Sequence, residues 1–119
     1  MKILRRLLVS TAVVAGLAAG AVQAAEVKIA AVLATTGVYA FVGVPLVNGI
    51  KMADEALKAS GGYGPHTVTM TYDDNRSDRQ EAIALLTRRT ETDKVHLVLG
   101  PISSAEAMST GPVAVKLGV

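Results

Sequence analysis

Two adjacent serines in the run Leu99-Gly100-Pro101-Ile102-Ser103-Ser104-Ala105-Glu106-Ala107 have the type and setting to do chemistry. Before them, Val95–Leu99 is a short apolar, β-branched stretch of the kind that forms a buried strand. Gly100-Pro101 stops it, because proline cannot donate to a ladder and glycine permits a sharp turn. Behind the serines, Ala105–Met108 reads as a first helical turn. Hydroxyls at a helix start lie beside unpaired backbone N–H groups at the positive end of the helix dipole, a setting that suits a carboxylate or phosphate. Serine is also an ordinary helix cap, and most such junctions bind nothing, so the pair alone reads as a structural feature. Its surroundings have to decide.

Catalytic and cofactor chemistries fail on spacing. His66 and His96, the only histidines, fall in a turn and at a strand start. Neither can serve Ser103 or Ser104 as a general base. There is no G-x-S-x-G elbow, and Gly37 and Gly43 do not form a dinucleotide fingerprint. No P-loop occurs. A calcium loop starting at Asp73 would need glycine at Asp78 and a bidentate acid at Ala84, so no metal site is expected there. Asp73-Asp74 reads instead as a solvated cluster at a strand end. The chain has no cysteine, hence neither disulfides nor thiolate metal ligands. No cofactor, no metal and no enzymatic activity are expected.

The elements that must position the serines follow from pattern. Ile29–Ala34 is a near-continuous apolar run and reads as a first buried strand. Thr35–Val44 reads as a loop carrying Tyr39 and Phe41, two of only four aromatic residues. Pro45 suits the first position of a helix, whose apolar stripe would be Leu46, Ile50, Ala53 and Leu57. Gly61-Gly62 would cap it. Thr67–Tyr72 alternates strictly, the mark of a half-exposed edge strand. Ser77 with Gln80 forms a capping-box pattern for a helix running toward Asp93. The strand Val95–Leu99 and a helix to about Lys116, capped by Gly118, complete a β-α-β-α-β-α alternation. That pattern predicts an open parallel α/β sheet. Because strands one and three are apolar throughout and strand two alternates, the order is 2-1-3, with the first and third strands interior. Ligands in such sheets bind at the switch point, beyond the carboxyl ends of the strands. There the loops Thr35–Val44 and Gly100–Ser104 should converge.

Composition sets the remaining bounds. Met1–Arg6 is basic, Leu7–Ala21 is apolar, and Val22-Gln23-Ala24 resembles a processing site, so residues 1–24 are expected to be a signal peptide. Residues 25–119 are then the folded part. Lys2, Arg5 and Arg6 belong to the leader, which leaves nine basic residues against ten acidic ones. No basic patch suggests nucleic acid. A domain of this size buries only about 60–65% of its unfolded surface. The chain stops where a fourth strand is expected, so it reads as the truncated opening of something longer.

The residues Thr36-Gly37-Val38-Tyr39-Ala40, Asn48-Gly49-Ile50-Lys51-Met52-Ala53, Gly61-Gly62, Tyr72-Asp73-Asp74-Asn75-Arg76-Ser77-Asp78 and Leu99–Ser104 stand in one order and spacing. The set resembles the branched-chain amino-acid type of periplasmic solute-binding protein, the type I receptor of an ABC importer. The resemblance implies a Rossmann-like partial first lobe of a two-lobe receptor, exported to the periplasm. It implies a monomer that presents an amino acid or small carboxylate to an inner-membrane ABC permease. It maps the carboxylate grip onto Ser104, with Ser103 and the Ile102 backbone beside it. A ligand-packing aromatic of the family aligns with Val42, a departure for which Tyr39 or Phe41 could substitute. Three other readings remain: a ligand-sensing ectodomain with the same lobes, a non-functional truncated product, and an enzyme needing a catalytic base or cofactor motif beyond Val119.

Overall fold

A computed structural model describes residues 23–119. The expected leader, residues 1–24, therefore lies outside the described residues except for Gln23 and Ala24. The elements are β1 (Glu26–Leu33), α1 (Ala40–Ser60), β2 (Thr67–Asp74), α2 (Arg79–Glu91), β3 (Leu97–Leu99) and α3 (Ser104–Leu117). The strands form one parallel sheet in the order β2-β1-β3, as the strand patterns predict.

Strand β1 is the hub because its side chains are apolar on both faces. Ala31 and Leu33 point to one face, where they pack with Val47 and Ile50 of α1 and with Tyr72, Leu99 and Ile102. Ala30 and Val32 point to the other, against Leu85 of α2, Val95 and Val98. Helix α3 packs beside α2 on that second face. Along β2, Val68 and Met70 alternate with exposed Thr67 and Thr69, and no residue of the strand is fully buried, as befits an edge.

Strand β3 pairs with β1, and Leu97 is 46% exposed. Apolar residues on both faces of a strand report two covered faces, not two paired edges. Val98 and Leu99 have their faces covered; the outer edge of β3 has no partner strand among the described residues.

Helix α1 begins at Ala40, five residues before the expected start, and Pro45 lies inside it. Proline at this point removes the donor that would reach the Phe41 carbonyl, a loss that water covers on an exposed face. The buried stripe shifts accordingly to Gly43 and Val47, with Ile50 partly covered, while Leu46 and Leu57 are each more than 40% exposed. Gly61, in the left-handed conformation, ends the helix with its N–H and that of Gly62 bonded to Lys58 and Leu57 carbonyls. Gly118 caps α3 in the same conformation.

Candidate functional site

The register places Leu33 opposite Asp74 and Ala31 opposite Leu99, so the carboxyl ends of all three strands reach one rim. Two close approaches bring the flanking segments together there. A Cβ on Gly43 would fall 1.7 Å from the Ala34 carbonyl oxygen and 3.0 Å from the Ile102 side chain. One on Gly100, at φ +116, would fall 2.2 Å from the Val32 carbonyl. Only glycine lets the start of α1 and the turn after β3 close onto the end of β1.

Within that turn the two serines differ in how they are engaged. Ser103 is the N-cap of α3. Its hydroxyl accepts from the Glu106 N–H, and the Glu106 carboxylate accepts from both the N–H and the hydroxyl of Ser103. The Ser103 hydroxyl is thus committed to a capping box. Ser104 is the first helical residue and is exposed. Its hydroxyl has no protein partner among the described residues, and the backbone N–H groups of Ser104 and Ala105 lie beyond the reach of intrahelical acceptors. Ile102 turns its side chain into the core with Leu33 and Leu99, leaving its backbone as the part that could meet a ligand.

Across the rim, Tyr39 is the N-cap of α1 without a side-chain cap. Phe41 is 77% exposed and Val42 39% exposed in the first helical turn. These three residues are therefore presented on a helix rather than on the expected loop. The rim carries no metal-like cluster: no group of three or more His, Cys, Asp or Glu residues is gathered anywhere among the described residues. An apolar cavity of about 80 Å³ exists elsewhere, between the sheet and α2–α3, lined by Val32, Leu86, Val98 and Thr110 among others. It does not include Ser104.

The turn between β2 and α2 binds both walls of the rim, which pattern reading missed. Asp74 is no solvated cluster residue. Its carboxylate accepts from the N–H groups of Thr35, Thr36 and Arg76 and from the Thr36 hydroxyl. Burial pushes its pKa up, but these four donors outweigh it and hold the group at about 2. Ser77 donates to the Thr36 carbonyl and accepts from the Tyr39 N–H. That engagement explains why the α2 cap is Asp78, bonded to the Glu81 N–H, and not Ser77 with Gln80. Asn75 donates to Glu106 at 3.0 Å. The Ser103–Glu106 spacing was a legible signal for half of this network; the Asn75 partner, 31 residues away in sequence, had none.

An open parallel sheet whose loops meet at a switch point has the layout of a lobe of the doubly wound class. The sequence profile of the periplasmic binding protein family matches residues 26–119, and the chain belongs to that family. Similar solved structures include the branched-chain amino acid transporter substrate-binding protein LivJ of Streptococcus pneumoniae, in complex with isoleucine. It is 28% identical with a TM-score of 0.75, over 79% of this chain and 27% of that one. The leucine-binding protein LivK of Thermotoga maritima is 29% identical with a TM-score of 0.67, over 78% of this chain and 26% of that one. A putative branched-chain amino acid ABC transporter protein of Rhodospirillum rubrum is 26% identical with a TM-score of 0.73, over 79% and 27%. The chain thus spans about a quarter of the length of the solved proteins it matches. No curated protein matches it.

Proposed function

We propose that this chain supplies ligand-binding residues of the extracytoplasmic receptor of an ABC importer for amino acids or related small carboxylates. The receptor is exported by residues 1–24, works in the periplasm as a monomer, delivers its ligand to an inner-membrane permease, and catalyses no reaction. The observation that carries the reading is the contrast between the serines: Ser103 is engaged by Glu106, whereas the exposed Ser104 hydroxyl has no partner among the described residues.

In this reading Ser104 holds the ligand carboxylate with its hydroxyl and N–H, at the positive end of α3. The Ile102 backbone and Ser103 border it. Tyr39, Phe41 and Val42 line the facing wall, where apolar surface suits an aliphatic side chain. Branched-chain amino acids are the first ligands to try, because relatives between 26 and 29% identical include an isoleucine complex and a leucine-binding protein.

The test is calorimetric titration of the protein expressed from its gene with leucine, isoleucine and valine. Ser104→Ala removes a hydrogen bond to a charged group, worth about 1.5–3 kcal/mol, so affinity should fall roughly ten- to a hundredfold. Unchanged affinity would remove Ser104 from the site.

A further inference from the structure

We propose that the β2–α2 turn, Asp74–Ser77, is the positioning element for both walls of the crevice. It sets the start of α1 through Asp74 and Ser77, and it orients the serine turn through Asn75 acting on Glu106. The consequence for a ligand rests on the receptor reading above; the positioning itself does not.

Asn75 and Glu106 are the most deeply buried polar residues among those described, at 0% and 1% exposure. Their side-chain hydrogen bonds link the turn to the serine wall and brace the turn itself. The Asn75 N–H donates to the Leu33 carbonyl at 3.1 Å, its Oδ1 accepts from the Ser77 N–H at 3.1 Å, and its Nδ2 donates to Glu106 Oε1 at 3.0 Å. Glu106 Oε2 then accepts from the Ser103 N–H at 3.0 Å and hydroxyl at 2.8 Å. Each carboxylate oxygen has its own assignment, so the ring of contacts holds only when Asn75 and Ser103 are both in place.

Such a network adds little net stability compared with apolar packing. What it supplies is a single geometry, because any other arrangement leaves a buried polar atom unpaired. The turn itself is constrained. Arg76 and Ser77 are non-glycine residues at φ 55 and 59, a left-handed conformation that persists only where the surroundings fix it. Those surroundings are the contacts just described. Ser104 follows Ser103 directly, so the direction of its hydroxyl depends on Asn75, which acts two contacts away through Glu106 and Ser103. Asn75 and Glu106 are positioning residues.

Amide hydrogen exchange of the protein expressed from its gene tests this without a ligand. Asn75→Ala should speed exchange of the Ser103 N–H by about tenfold or more, while Ala31 and Val32 in β1 keep their rates. Ser77→Ala should do the same at Tyr39. Unchanged exchange at Ser103 overturns the proposal, as does an equal rise at Ser103 and throughout β1. If Asn75→Ala does not fold, Glu106→Gln serves. It keeps the volume but offers one acceptor oxygen where Asn75 and Ser103 require two, and the same Ser103 result is expected.

With leucine as the probe, Asn75→Ala and Ser104→Ala should each weaken binding. The double variant should be within about twofold of Ser104→Ala alone, because coupled residues are non-additive. Multiplying losses would overturn the relay. A parent protein that binds no branched-chain amino acid sinks the receptor reading, and exchange at Ser103 then decides the positioning by itself.

Discussion

The Asp74 carboxylate receives the Thr36 hydroxyl at 2.6 Å and the Thr36 N–H at 3.2 Å, tying the end of β2 to the segment that leads into α1. Strand pairing ends at Leu33 and Asp74; this side-chain contact extends it one turn further.

The contact makes stability depend on acid. Asp74 titrates at about 2 in the folded protein, below the roughly 3.9 of an unfolded aspartate. A depressed folded value means that the stabilisation is complete above about pH 4 and is lost as pH falls toward 2. Water reaches part of the group, so the contribution is about 1–2 kcal/mol after screening. Urea unfolding at pH 6 should therefore find Asp74→Asn less stable than the parent by that amount. At pH 2 the gap should close. An equal gap at both values would show that Asp74 acts through packing alone.

Two glycines of α1 should respond in opposite ways to the same change. Gly43→Ala drives a methyl into the Ala34 carbonyl, and backbone must move, so a loss of about 3 kcal/mol is expected. Gly49 has nothing within 4 Å of its would-be Cβ, so Gly49→Ala should add about 0.5–1 kcal/mol through helix propensity. Paired urea melts check both. A tolerated Gly43→Ala would mean that α1 does not sit against the end of β1.

What the sequence made legible was whatever rests on composition along a segment. The apolar run of β1, the alternation of β2 and the glycine ends of α1 and α3 were enough for the sheet order. The start of α1 was hidden because Gly43 owes its place to a backbone contact with Ala34, and contacts leave no periodicity. Pro45 suggested a start because its missing donor is harmless there; on an exposed helix face it is tolerable too. Ser77 and Asp78 both precede a Glu or Gln by three residues, so local pattern could not choose the α2 cap. The choice fell to Asp78 because the Ser77 hydroxyl is engaged by Thr36 and Tyr39. The serine turn was legible as a site candidate, yet the division of labour within it depended on a buried asparagine from another loop.

From α2, Arg89 grips Asp73 of β2 with Nε and Nη2, both at 2.6 Å, and reaches Asp93 at 2.7 Å through Nη1. Hydrogen bonding to Asp73 raises the Arg89 pKa, against an opposing effect of burial. Both side chains are largely covered, at 19% and 9% exposure, so the fork geometry matters more than charge alone. Arg89→Lys keeps the charge but has a single nitrogen, which cannot make the two parallel bonds to Asp73 and still reach Asp93. It should cost about 1–2 kcal/mol in urea unfolding. Arg88, more exposed and 3.4 Å from Asp73, should cost less than about 0.5 kcal/mol as lysine. Equal costs would make the interaction one of charge only.

The serine pair offers the sharpest separation of fold from function. Ser103→Ala removes the cap hydroxyl and one of the donors to a buried carboxylate, so a stability loss of about 1–2 kcal/mol is expected. Ser104→Ala removes an exposed hydroxyl that binds nothing in the protein among the described residues, and its stability should change by less than about 0.5 kcal/mol. Ligand affinity should rank the other way, with the larger loss at Ser104. Measuring unfolding and branched-chain amino acid binding on both variants gives four numbers. If Ser103→Ala cost the greater affinity at equal stability, the ligand contact would belong to the capping serine, and Glu106 would have to release it on binding.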